Sequence, residues 1–286
     1  MCGPDRPCHY TQFGFGGESA KKFVNPLCNW KWQPTSYILY RHLIAVYQLT
    51  WCILVIVEWG TDPHYSPVDT KWKWLIYISD WSYLLLTLYF IFAAVAVTVY
   101  HACNCNSSDK DPSIELAERG GGSNQNNFYE PSMPWYLKFM WFLQVTAYSA
   151  AVAVTILYWV LEYDPPGDSI HAYGVHVHGV NVVLVLIDLL IVATPYRLLH
   201  FIYPSLYSFV YFVFTAIYWA AGGLNPNGNP WIYKGSLDWE TDPGLSAIVA
   251  ALTVVVAAPM LQVLFWLLFK IKEFIFRKCC GNGEFA

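Results

Sequence analysis

The sequence predicts an all-α polytopic membrane protein, a bundle of about six transmembrane helices with both termini in the cytoplasm. Three observations lead there. Of 286 residues, 56% are hydrophobic and only 13% charged, against about 25% charged in a soluble domain. Six apolar runs each approach the roughly 20 residues that a hydrocarbon layer of about 30 Å requires. Finally, lysine and arginine are concentrated on one side of the spans those runs define. A soluble bundle is excluded, because six such helices leave too little polar surface to solvate a globule.

Residues 1–36 are polar and contain no apolar core of signal-peptide type, so the first span is expected to serve as the targeting signal and nothing is expected to be cleaved. The membrane domain, 37–269, holds spans at 37–59, 74–100, 135–161, 174–194, 205–221 and 245–269, bounded by charge, proline or glycine. Tryptophans such as Trp59, Trp74 and Trp135 mark the span edges, as interfacial belts do. The only long loop, 102–134, contains Gly120-Gly-Gly-Ser and reads as a flexible cytoplasmic linker. The link between the fourth and fifth spans, 195–200, is short enough to predict a tight antiparallel pair. A basic, cysteine-containing tail, 270–286, ends the chain.

An even number of spans puts both termini on one side. That side carries thirteen Lys and Arg, whereas the other has Lys71, Lys73 and Lys234 together with most of the loop carboxylates. Cytoplasmic termini follow, in a membrane of the secretory route, plasma membrane or endoplasmic reticulum. The net charge of -4 then says little about partners, since opposite charges are segregated across the bilayer. Nucleic acid is not expected; membrane lipid is. Seven of eight cysteines fall on the cytoplasmic side and none in an outer loop, so no disulfide framework is expected. Cys103, Cys105, Cys279 and Cys280 lie beside the membrane, where a thiol is a palmitoylation candidate or stays unmodified. No finger-type ligand spacing surrounds them, and no metal is expected.

Ionisable groups inside spans are expensive and must face protein or water. The second span carries Ser79 and Asp80, the fourth His176, His178, Asn181 and Asp188. Steps of three and four residues put 178, 181, 185 and 188 on one helical face. Counting about 1.5 Å per residue from the outer boundary, Ser79 and His178 share a depth of roughly 6–10 Å. A hydroxyl and an imidazole at one level are the minimum parts of a nucleophile and its general base. Asp188 is about 15 Å deeper than His178, too far to be its third member, and a structural hydrogen bond or a neighbouring partner suits it. Asp80 is available to orient the base, although it projects about 100° from Ser79. Asn181 offers donors and acceptors for a carbonyl or the imidazole. The bland alternatives are a packing serine bonded to its own backbone, a His176 anchored to water or a neighbouring helix, and Arg41 and His200 snorkelling to the cytoplasmic interface.

Several runs resemble the rolling stone family, multi-pass proteins associated by name with myoblast fusion: HGVN at 178–181, PYRLLHFIYPSLYSFVY at 195–211, YWAAGG at 218–223, NPNGNPWIYKGSLDW ending at Trp239, and WLIYISDWSYLLLTLYF at 74–90. The layout is similar, more remotely, to the androgen-induced and androgen-dependent membrane proteins, six-span hydrolases of fatty acid esters of hydroxy fatty acids. That similarity implies a membrane threonine and a histidine as the working pair, at positions matched here by Ser79 and His178. Serine stands for threonine, and Asn181 for a second histidine.

The resulting expectation is a serine/threonine-type intramembrane hydrolase of a lipid ester or amide, Ser79 attacking and His178 as base, with no cofactor. The alternative is a non-enzymatic organiser of cell–cell fusion or adhesion, with membrane proteins at cell contacts as partners. A haem carrier would need histidines facing one another near both surfaces, and the outer side lacks such a partner. For a channel or transporter, the sequence offers no filter and no broken helix pair.

Overall fold

A computed structural model describes residues 9–28, 33–59, 71–108, 133–163 and 172–280. Among the described residues, six helices are long and apolar enough to cross a membrane: α1 (Thr35–Trp59), α2 (Ile78–Cys103), α3 (Trp135–Glu162), α4 (Ala172–Ile191), α5 (Leu198–Ala220) and α6 (Pro243–Phe276). The protein is an integral membrane protein. Helix α2 continues to Ser108 and α6 to Cys280, past the predicted span ends. The rest of the Gly-rich 102–134 loop, from residue 109 to 132, lies outside the described residues.

Helix α3 is the axis and the most buried of the six. Small residues on it (Ala147, Ser149, Ala150, Ala151) and on α2 (Ala93, Ala94, Ala96) are buried, which lets these backbones approach closely where lipid supplies no hydrophobic drive. Outward faces carry exposed Leu43, Val46, Leu88, Val95, Leu190 and Met260, the surface a bilayer would cover.

The bundle has two distinct ends. At one, the N-terminal segment, the end of α4, the start of α5 and the end of α6 meet; this is the terminal end. There Arg197 donates to the Gly14 and Gly16 carbonyls and pairs with Glu18 at 3.1 Å, and Tyr203 donates to the Phe13 carbonyl. Phe15 packs against Trp141 and His200. His200 is therefore buried against the Gly14 carbonyl rather than snorkelling.

The predicted pairing of the fourth and fifth spans does not form. Helices α4 and α5 each pack on α3 instead, because residues 192–197 run extended between α3 and α6. That buried link finds side-chain partners for its carbonyls: Trp141 Nε1 on Pro195, Gln262 Nε2 on Arg197, and Lys272 Nζ on Val192, the same ammonium also reaching the Leu189 carbonyl at the end of α4.

Arg41 also departs from the snorkelling expectation. It is completely buried and pairs with Asp188 at 3.0 Å. Tyr40 and Tyr89 donate to the same carboxylate at 2.7 Å each, Tyr148 donates as well, and the Arg41 guanidinium donates to Tyr37 and Tyr89. Four helices, α1 to α4, are joined through this one cluster.

Candidate functional site

The opposite end of the bundle, where residues 221–242 lie, encloses a cavity of about 610 Å³. Its floor and walls come from every span, and residues 227–237 contribute to its cover. Ser79, Asp80 and His178 all line it. Ser79 and His178 thus share one space, although no hydrogen bond joins them among the described residues.

The start of α2 is held from outside. A 3-10 turn, Lys71–Ile76, leads into it, and its Ile76 carbonyl accepts from Tyr211 Oη at 2.9 Å. The Ile78 N–H donates to Tyr233 Oη at 3.1 Å, while Trp81 Nε1 donates to the Leu75 carbonyl. Ser79 and Asp80 therefore sit on a backbone clamped by the α5 helix and by the covering loop. That loop is built from the NPNG and KGS turns. Asn225 Oδ1 accepts the N–H groups of Asn227 and Asn229, and Gly228 and Gly235 adopt φ of 79°, the left-handed region that favours glycine. Ile232 and Leu237 then bury against Ile76, Tyr211 and Phe212. Burial pushes the Tyr233 phenol up, so it serves as a neutral hydroxyl.

His178 lies in a π turn, His176–Val180, facing a second π turn, Tyr158–Glu162, at the end of α3. The Tyr158 and His178 rings stack at 3.7 Å and 5°, and Trp159 Nε1 donates to the His178 carbonyl. His178 Nδ1 is buried without a hydrogen-bond partner among the described residues. A third π turn, Thr253–Ala257 in α6, begins with Thr253 on the same cavity. Such turns widen a helix locally and gather at functional sites. The α-helical repeat could not anticipate them.

They also explain a correction. Asn181 does not share the His178 face. It is 1% exposed, outside the cavity lining, and its Oδ1 accepts from Thr155 Oγ1 at 3.1 Å and from the Val182 N–H. The π turn shifts the side-chain register between 178 and 181, so Asn181 joins Val185 and Asp188 in the buried seam. Its Oδ1 is thus engaged within that seam rather than on the cavity lining. His176 is the anchored histidine: Tyr47 and Tyr83 bond its two ring nitrogens at 2.9 and 2.8 Å, and Trp51 stacks on it.

Asp80 is 6% exposed and makes no hydrogen bond to His178. Glu162, at the cavity rim, accepts from Ser236 Oγ, and Lys234 is an exposed cation of the same loop. Among the palmitoylation candidates Cys103 is exposed; the side chains of Cys105, Cys279 and Cys280 lie outside the described residues. Among the described residues no three His, Cys, Asp or Glu side chains gather to hold a metal.

A family model described as protein rolling stone matches residues 5–281. Protein rolling stone of Drosophila melanogaster is 28% identical over 236 residues, covering 80% of this chain and 76% of that relative. No solved structure matches.

Proposed function

The chain belongs to the rolling stone family, and from that premise we propose that it is an intramembrane hydrolase of a lipid ester or amide, with Ser79 as nucleophile and His178 as general base. The observation that carries the reading is the shared cavity: a hydroxyl from α2 and an imidazole from α4 line one space walled by membrane-spanning helices. In this reading both termini are cytoplasmic, the cavity lies toward the exoplasmic leaflet, and the membrane is the plasma membrane or endoplasmic reticulum.

Ser79 Oγ attacks the carbonyl carbon as its proton passes to His178, because an alcohol is a poor nucleophile unless deprotonated during attack. Collapse of the tetrahedral adduct breaks the ester or amide bond, and the leaving oxygen or nitrogen takes the proton back from the imidazolium. A water, deprotonated by His178, then releases the acyl group and restores the Ser79 hydroxyl. The stacked Tyr158 ring fixes the imidazole plane. The unpartnered Nδ1 is a spare acceptor or donor in the same ring.

Membranes carrying the wild type, Ser79→Ala or His178→Ala protein are labelled with a fluorophosphonate probe. Labelling is expected in the wild type and lost in both variants; equal labelling of all three would overturn the assignment. The organiser of cell–cell fusion remains the rival. It is favoured by full fusion activity in both variants, and Cys103, exposed on the terminal-end extension of α2, is its acylation candidate.

A further inference from the structure

Among the described residues, two carboxylates are buried within the spans, and they are treated in opposite ways. Asp188 is compensated by Arg41 and by three tyrosine hydroxyls. Asp80, also buried, has neither a cation nor a hydrogen-bond donor among the described residues, and it lines the cavity. Of the aromatic residues near it, Tyr207 shares its hydroxyl with Ser82, and Tyr233 Oη accepts the Ile78 N–H. An ionised carboxylate in such a place has to meet a cation or take up a proton. Its position in the first turn of α2 favours the anion, because the helix dipole presents its positive end there.

The walls suit a cation as well. Trp59, Tyr77 and Tyr233 meet edge to face in sequence along the cavity, with centroids 5.8 and 5.6 Å apart. Aromatic faces beside a carboxylate are the chemistry that holds alkylammonium groups, through the ring quadrupole and the full charge together. The remaining lining is aliphatic, Val154, Leu157, Leu161 and Val177 among it, and matches an alkyl chain. Of the charged residues on the rim, Glu162 adds a second acid and Lys234 is exposed on the covering loop.

We propose that Asp80 is the counter-ion for the ligand's head group, and that the cavity takes a cationic amphiphile: a long acyl chain bearing a primary or quaternary ammonium. Combined with the hydrolase reading on which the substrate assignment rests, this makes the substrate a fatty acyl ester or amide whose alcohol or amine part carries the ammonium. Ser79, one residue before Asp80, is then beside the bond that joins chain to head.

The full-length protein in nonionic micelles is offered hexadecyltrimethylammonium, hexadecanol and hexadecyl sulfate, none of which is hydrolysable at a carbonyl, and occupancy is read by native mass spectrometry. The wild type is expected to hold one cationic chain at least about tenfold more tightly than the neutral chain, with the sulfate weakest. Asp80→Asn is expected to level the three affinities, while Asp80→Glu and Ser79→Ala keep the preference. Equal affinities in the wild type would overturn the proposal, as would a cation preference that survives Asp80→Asn. The wild-type comparison decides even if a variant fails to fold. Cation preference without fluorophosphonate labelling would sink the hydrolase reading alone; labelling at Ser79 without cation preference would sink this one alone.

Discussion

Removing the Asp188 charge by Asp188→Asn tests what holds the bundle together. The carboxylate accepts from Arg41 Nη1 at 3.0 and 3.2 Å, from Tyr40 and Tyr89 at 2.7 Å each, and from Tyr148. The amide leaves Arg41 charged at 0% exposure with no anion beside it, only one amide oxygen and the Tyr37 and Tyr89 oxygens as neutral acceptors. Breaking one side of a buried pair costs about 3–5 kcal/mol. At roughly 2–4 °C per kcal/mol, the scale of a large soluble domain, the midpoint should fall by about 10 °C. Arg41→Met should cost less than Asp188→Asn, because the stranded carboxylate keeps three hydroxyl donors whereas the stranded guanidinium keeps no anion. The double variant should be more stable than the sum of the singles predicts, by up to about 3 kcal/mol. Tryptophan fluorescence during unfolding in nonionic micelles measures all four proteins. Strict additivity, or a loss below about 1 kcal/mol for Asp188→Asn, would refute the view that this pair is a buried, mutually compensating unit.

Two further outcomes are expected. Arg197→Ala removes the donors that hold the Gly14 and Gly16 carbonyls and the partner of Glu18, so hydrogen exchange across 13–18 should accelerate, and Arg197→Lys should rescue it only in part, since an ammonium lacks the fork. At Asp238, burial alone would raise the carboxyl, but bonds from the Thr241 hydroxyl and the Thr241 and Glu240 N–H groups outweigh it and hold the pKa below the usual value. The stabilisation is complete above the unfolded pKa of about 3.9 and is lost as pH falls through the lower folded value. The stability gap between wild type and Asp238→Ala should therefore close in acid, and a gap independent of pH would contradict the assignment.

The contents of the cavity were only partly legible in advance. Ser79 and His178 could be matched because depth along a straight helix is a count of residues. Asp80 was visible as an intramembrane acid, but its lack of a partner among the described residues was not, because that is a property of what the other five helices bring near it. Asn181 was misplaced for a local reason: the π turn at His176–Val180 interrupts the α-helical repeat that put it beside His178. The Arg41–Asp188 pair was within reach, since Arg41 lies about four residues inside the first span and Asp188 about six from the end of the fourth, depths of roughly 6 and 9 Å from one surface. Opposite charges at one level within a bilayer are expected to pair.

Composition and run length alone determined that this chain is helical and crosses the bilayer six times, because each span is decided within itself by about 20 apolar residues and the closure of its own backbone hydrogen bonds. Only the tertiary structure decided which helices touch: that α4 and α5 part around an extended link, that Arg41 turns inward to Asp188, and that three π turns and a folded loop leave room around Ser79, Asp80 and His178. Those outcomes depend on pairing polar groups from distant stretches of chain in a medium that offers no water to satisfy them, and no single span carries that information.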